Sequence, residues 1–266
     1  FGYGPVPAMG IKGAAIATLV AWTVGYGYLF YHLAIKHRLI STRLPSRQIL
    51  ISSSREMLRI GLPAAGANMM TPLAMGTMTA IAAGFGTSVV AAFGVGARLE
   101  PIATLLILAM SSTLPPLISQ NYGAGRLDRI KEAYSMSLRF IVIWQLAVYL
   151  LLVLAAPWIA RVFTSDPEVL ETLRLFIWIL PIGYGMQGII ILSNSSLNAM
   201  HRPMTALYLS VARFFVLYVP CAYLGSRFFG VPGFFGGAVF ANSLMAIISW
   251  ITVKRALAAE KALHAV

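Results

Sequence analysis

Charged residues are scarce in this sequence. They make up 11% of its 266 residues, whereas 59% are hydrophobic. Soluble domains of this size carry roughly 25% charged residues, so most of the chain cannot face water. Acids are fewest, with 8 Asp and Glu against 20 Lys and Arg. Because these acids fall almost entirely outside the apolar runs, no Ser-His-Asp arrangement can be proposed, and the sequence predicts no enzyme.

Cysteine, metal-ligand and nucleotide signals are also lacking. Cys221 is the single cysteine, which excludes a disulfide framework and a cysteine-based metal site. The four histidines lack metal-ligand spacing, and no Gly-x-x-x-x-Gly-Lys phosphate loop occurs. The net charge of +12 falls in short segments between apolar runs, a pattern that indicates membrane topology rather than a nucleic-acid partner. We therefore expect no cofactor and no nucleotide hydrolysis.

Long apolar runs dominate the sequence. A membrane helix needs about 20 such residues, and seven segments meet this length within a few residues. The sequence predicts an all-α polytopic membrane protein with segments A (Gly10–Leu33), B (Leu58–Ala83), C (Thr87–Ser119), D (Ser135–Ala160), E (Leu170–Ala199), F (Met204–Phe228) and G (Pro232–Lys254).

The distribution of Lys and Arg predicts the orientation. Fifteen of them fall on the side that holds the A–B loop and the C-terminus, and five fall on the other side. Under the positive-inside rule the C-terminus is cytoplasmic. The expected location is a bacterial inner membrane, with the lipid bilayer as a partner.

Segments A and G resemble each other. Gly10–Ala17 is similar to Gly233–Phe240, and each follows a Gly/Pro-containing lead, Gly4–Pro7 in one case and Gly230–Pro232 in the other. A repeat of six helices, as in two-lobe transporters, makes A the last helix of a missing N-terminal lobe. The alternative is chance similarity between helices rich in small residues. We predict a lobe-ending helix at 1–33, a basic interlobe linker at 34–57, a six-helix C-terminal lobe at 58–257 and a cytoplasmic tail at 258–266.

Four motifs carry a family resemblance. They are Gly61–Pro63 in B, Gly94–Glu100 in C, Gln120–Arg126 after C and Asn198–Pro203 after E. Together they resemble the multidrug and toxic compound extrusion (MATE) family. The resemblance implies a twelve-helix carrier that exchanges amphipathic, often cationic compounds for H⁺ or Na⁺ by alternating access.

Two positions depart from one branch of that family. NorM-like members carry acids where this chain has Thr71 and Tyr184, which puts a sodium-binding carboxylate site in this lobe in doubt. The chain is more similar to the DinF-like branch, whose coupling acid is expected in the missing N-terminal lobe.

Polar side chains line one stripe on each of two apolar segments. Segment E carries Tyr184, Gln187, Asn194 and Asn198 within about 80° of one another. Because lipid offers no partner, these groups face protein or water, either lining a cavity or joining helices. Segment B carries a similar face, on which flexible methionine side chains could contact apolar ligands of varied shape. The alternative is that this face packs against another helix, with its threonine hydroxyls donating to their own backbone. Its members are Asn68, Thr71, Met75, Met78 and Thr79.

Glu100 and Arg213 are the candidate charges at membrane depth. If C begins at Thr87, Glu100 lies well inside the membrane and is a functional candidate; if C begins near Leu99, it is interfacial. Arg213, about ten residues into F, needs a counter-charge, and we take Glu100 as a possible partner.

These features predict multidrug efflux by cation-coupled antiport. One alternative is a lipid-linked oligosaccharide flippase of related fold, which needs several cavity cations, whereas this chain offers Arg98, Arg139 and Arg213. A membrane scaffold without transport is the second alternative.

Overall fold

The chain folds into helices throughout its described part. A computed structural model describes residues 10–37 and 46–263, and these contain no strand. The Gly4–Pro7 lead, linker residues 38–45 and the last three residues of the predicted tail lie outside the described residues. The α-helices are α1 (Gly10–Phe30), α2 (Arg47–Ala83), α3 (Thr87–Ala103), α4 (Leu105–Gly123), α5 (Leu127–Phe163), α6 (Pro167–Ile179), α7 (Tyr184–Ala199), α8 (Pro203–Val211) and α9 (Val219–Leu263).

The chain divides into two units, Phe1–Glu56 and Met57–Val266. In the first unit α1 continues into a π-helical turn, Tyr31–Lys36. Its aromatic side chains stack along the helix, with the Trp22 and Tyr26 rings 5.4 Å apart. The boundary between the units falls inside α2, which begins eleven residues before the predicted start of segment B.

Segment C is a bent pair of helices rather than the single helix that we predicted. α3 and α4 meet at 45°. Thr104 leaves the helical conformation at the junction (φ −99°, ψ 8°), three residues after Pro101. Its backbone N–H and its side-chain hydroxyl both donate to the Glu100 carbonyl, at 2.9 and 2.8 Å. These two hydrogen bonds hold the backbone at the bend against the last turn of α3, which contains Glu100.

Segment E is continuous from α6 to α7 through a short 3₁₀ turn at Leu180–Gly183, where Pro181 interrupts the regular helix. Asp166 caps the start of α6, because its carboxylate accepts from the backbone N–H groups of Glu168 and Val169. This cap lies between the predicted segments D and E.

Segments F and G form a hairpin at Gly230. This glycine has φ 62° and ψ −144°, a backbone conformation that breaks the helix. The two arms then approach so closely that a Cβ at Gly225 would meet the Gly233 carbonyl, and one at Gly237 would meet the Cys221 carbonyl. Glycine at these positions is what allows the two backbones to touch.

Several of these helices are long and apolar enough to cross a membrane. In the described residues, length and composition qualify Leu127–Phe163, Pro167–Ala199 and Pro203–Ala262, with the α3–α4 pair as a fourth. At about 1.5 Å per residue, the 60 residues of Pro203–Ala262 would span about three bilayers, so the turn at Gly230 makes them two crossings. From Ile143 to Trp158 the exposed side chains of α5 are apolar, among them Leu154 at 74% exposed. The protein is an all-α integral membrane protein.

The second unit has two apolar cores stacked along the helices. One core, defined here as the lower core, contains Ile107, Ile118, Ile141 and Leu192, from α4, α5 and α7. The other, the upper core, contains Phe93, Phe176, Phe234 and Phe235, from α3, α6 and α9.

Candidate functional site

Polar side chains occupy the level between the two cores. Along segment E, Leu180 of the 3₁₀ turn belongs to the upper core and Ile190 of α7 to the lower one, and Tyr184 and Gln187 fall between them. On α9, Ala238 and Met245 bracket Asn242 in the same way. Ile141 and Ala156 bracket a residue of α5 in this way, Leu209 and Ala222 one of segment F, and Phe93 and Ile107 one of segment C. One set of residues therefore shares a level, which we call the polar layer: Glu100, Gln145, Tyr184, Gln187, Arg213 and Asn242.

Glu100 is the acid of the polar layer. α3 begins at Thr87, the earlier of the two starts considered for segment C, and Glu100 is 13 residues into this helix, about 20 Å along its axis. Gln187 Nε2 donates to Glu100 Oε1 at 2.8 Å. The carboxylate of Glu100 is therefore held across the bundle by a residue of α7, close to the bend between α3 and α4.

Arg213 is the cation of the polar layer. It lies in a π-helical turn, Ala212–Tyr218, between α8 and α9, a local widening that is frequent at functional sites. The side chain is 8% exposed. Nε donates to Asn242 Oδ1 at 3.2 Å, and the guanidinium lies 4.7 Å from the centroid of the Phe214 ring.

The predicted pairing of Arg213 with Glu100 takes an indirect form. Arg213 interacts electrostatically with Glu100, but its hydrogen bond goes to Asn242, and the two charges form no direct ion pair. The same acid interacts electrostatically with Tyr184 and Tyr218. One carboxylate, one guanidinium and two phenols thus share a small region inside the bundle.

The polar stripe of segment E divides into two parts. Tyr184, 3% exposed, and Gln187 belong to the polar layer. Asn194 instead donates to Ser210 Oγ at 3.1 Å, which joins α7 to α8. The side-chain oxygens of Asn194 and Asn198 are buried and accept no hydrogen bond. The upper part faces the charges, and the lower part contacts a neighbouring helix.

The polar face of segment B is mostly open. Asn68, Thr71 and Thr79 are exposed, and Thr79 Oγ1 donates to its own helix at the Met75 carbonyl, 2.8 Å away. Met75 is half-buried, whereas Met78 is fully buried in the upper core, so its side chain is not available to a ligand in this conformation.

Two members of the polar layer were not singled out in the sequence. Gln145, 2% exposed, donates from Nε2 to the Ala103 carbonyl at 3.1 Å, which ties α5 to the end of α3. Asn242, 3% exposed, accepts from Arg213. Each is a lone amide in an apolar stretch, and the same rule that identified the segment E stripe would have found both.

The comparisons with known proteins identify the family. The MatE family model matches residues 63–224, about three fifths of the chain. The chain therefore belongs to the MatE family of membrane transporters. It is 40% identical over 255 residues to a FAD transporter of Shewanella oneidensis, covering 96% of this chain and 56% of that protein.

More distant relatives and a solved structure agree with this assignment. A probable multidrug resistance protein NorM of Thermotoga maritima is 23% identical over 86% of this chain and 49% of its own length. The crystal structure of the Vibrio cholerae MATE transporter VcmN in the bent form superimposes with a TM-score of 0.85 at 34% identity, covering 95% of this chain and 57% of that one. The chain spans about half the length of the relatives that it matches.

Proposed function

We propose that this chain is the C-terminal half of a DinF-like secondary transporter, which exports amphipathic small molecules in exchange for H⁺ or Na⁺ by alternating access. Residues 58–257 would form one six-helix lobe, and α1 would end the other. The half-length match to relatives supports this division. In a bacterial inner membrane, the C-terminus would be cytoplasmic.

The polar layer is the observation that carries the proposal. A bundle that only needed stability would continue its apolar core through this level, because burying a charge is costly. Here a carboxylate, a guanidinium and two amides interrupt that core near the middle of the helices. The protonation or ion occupancy of Glu100 would change the charge of the layer, which is a means of linking an ion gradient to a change of conformation.

The open face of α2 is where we place contacts with the substrate from this lobe. Asn68 and Thr71 offer exposed polar groups, and half-buried Met75 adds an adaptable apolar contact. This combination suits amphipathic compounds. We rank the flippase alternative lower because an anionic lipid-linked carrier needs several cations in the cavity, and the polar layer contains one, Arg213.

A second candidate substrate is a flavin dinucleotide. The FAD transporter relative matches almost the whole chain at 40% identity, against 23% for the NorM relative. FAD is an anionic diphosphate with a planar aromatic ring system. Arg213 is a fitting partner for the diphosphate, because a guanidinium matches phosphate geometry.

Flux measurements would test both versions. The full-length protein, reconstituted in liposomes, would be supplied with labelled FAD or with a fluorescent organic cation under an imposed proton or sodium gradient. We expect flux that stops when an ionophore collapses the gradient. Absence of gradient-dependent flux for either compound would refute the transport proposal, and the compound that moves would select the substrate class.

A further inference from the structure

We propose that the base of the second unit holds a binding site for an anionic phospholipid headgroup, between the start of α5 and the end of α9. A cavity of about 300 Å³ lies there. It is lined by Leu127, Asp128, Lys131, Lys254, Leu257, Ala258 and Lys261. Along α9 the site lies 12 residues, about 18 Å, beyond Asn242 of the polar layer, and it does not depend on the proposed transport function.

The lining of this cavity is strongly basic for its size. Three lysines face a single acid, Asp128, which pairs with Lys261 at 3.2 Å. That pair leaves the ammonium groups of Lys131 and Lys254 without a carboxylate partner among the described residues. Two uncompensated cations beside Leu257 make a cavity that suits a phosphate attached to an apolar chain.

The height of the cavity along the bundle matches the headgroup region. From Val231 to Trp250, α9 runs 20 residues, about 30 Å, which is the thickness of the hydrocarbon core. Lys254 is one turn beyond this limit. Its Nζ lies 3.6 Å from the centroid of the Trp250 ring, and tryptophan is enriched where hydrocarbon meets headgroups. The lysine is therefore held at the depth of lipid phosphates.

The charge of the cytoplasmic leaflet also favours an anionic lipid headgroup as the ligand of this cavity. The excess of Lys and Arg assigns this end of the bundle to the cytoplasm, and the cytoplasmic leaflet carries anionic lipids. Basic pockets between membrane helices on that side are suited to anionic headgroups. Exposed apolar side chains on α9, such as Ile247 at 55%, offer a surface for the acyl chains about two turns from Lys254, further into the membrane.

Lipid binding to the purified full-length protein would test the site. Native mass spectrometry in detergent would compare retention of cardiolipin, phosphatidylglycerol and phosphatidylcholine, with inorganic phosphate as a separate ligand. The test variant is K131Q/K254Q. The matched control is R129Q/R255Q, which removes two cations from the same two helices at exposed positions outside the cavity.

We expect anionic lipids to bind in preference to phosphatidylcholine, and the K131Q/K254Q variant to bind them about tenfold more weakly. The control should retain wild-type binding, and K131R/K254R, which keeps both charges, should bind within about twofold of wild type. Thermal unfolding of each variant reports whether it is folded. Equal losses in the test and control variants, or no preference for anionic lipids, would overturn the proposal. Binding of inorganic phosphate without lipid would also overturn it, because the ligand would then be a free anion.

Discussion

Gln187 Nε2 donates to Glu100 Oε1 at 2.8 Å, a contact that joins α7 to α3 across 87 residues of sequence. The acid lies just before the 45° bend between α3 and α4, and the same residue's carbonyl accepts from the Thr104 hydroxyl. A change in the charge of Glu100 therefore acts where a helix is already bent. This position makes Glu100 the first residue to test for a role in the proposed ion coupling.

Replacing Glu100 by Gln should uncouple transport. The amide keeps the size of the side chain and a hydrogen-bonding partner for Gln187, but it cannot release a proton or bind a cation as a carboxylate does. We expect gradient-driven flux in proteoliposomes to fall by about tenfold or more, with little change in thermal stability. The exposed acid Glu171 is the matched control, and E171Q should transport normally. Normal coupled flux in E100Q would assign the coupling acid to another part of the protein.

Because the backbones of Gly225 and Gly233 approach closely, we predict that the α9 hairpin tolerates no side chain larger than hydrogen at these positions. A Cβ on Gly233 would meet the Gly225 carbonyl, so G233A forces the two arms apart. We expect a loss of about 1–3 kcal/mol in the free energy of unfolding, measured as a lower Tm in detergent. Gly236 is the control, because a Cβ there meets nothing within 4 Å. Equal stability of G233A and G236A would show that the hairpin relaxes without cost.

A partly buried ion pair closes the base of the second unit. Arg202, just before α8, bonds Glu260 of α9 at 2.7 Å, and the Tyr122 hydroxyl also bonds this acid. The side chain of Glu260 is only 11% exposed. A double-mutant cycle with R202A and E260A should give a coupling energy of about 1–2 kcal/mol in thermal or chemical unfolding.

The pair of Lys261 and Asp128 is the internal comparison for this cycle. Its side chains are 69% and 86% exposed, so water screens the attraction. We expect a coupling energy below about 0.5 kcal/mol for K261A and D128A. Coupling energies of equal size in the two cycles would show that burial does not strengthen the Arg202–Glu260 pair.

Hydrophobic runs and breakers predicted the helical order well, because length and composition follow directly from the membrane environment. The start of α3 at Thr87 and the cap at Asp166 lie where the sequence signals fall. The bend at Thr104 was not predicted, although Pro101 lies three residues before it, because a proline is tolerated inside a continuous membrane helix. Contacts between distant residues, such as Arg213 with Asn242, depend on how helices pack, which no periodicity encodes.

Arg213 offers a test that separates the two substrate classes. It is the buried cation of the polar layer, held by Asn242 and stacked near Phe214. If FAD is the substrate, R213Q removes the partner of its diphosphate, and FAD flux should fall by about tenfold or more. R213K should recover part of this flux, because a lysine keeps the charge but not the bidentate geometry. Flux of an organic cation should change by less than about twofold, because an amide offers it no new repulsion. Exposed Arg98 is the control, and R98Q should leave both fluxes unchanged. Equal losses of FAD and cation flux in R213Q, together with a lower Tm, would instead assign Arg213 to holding the bundle together.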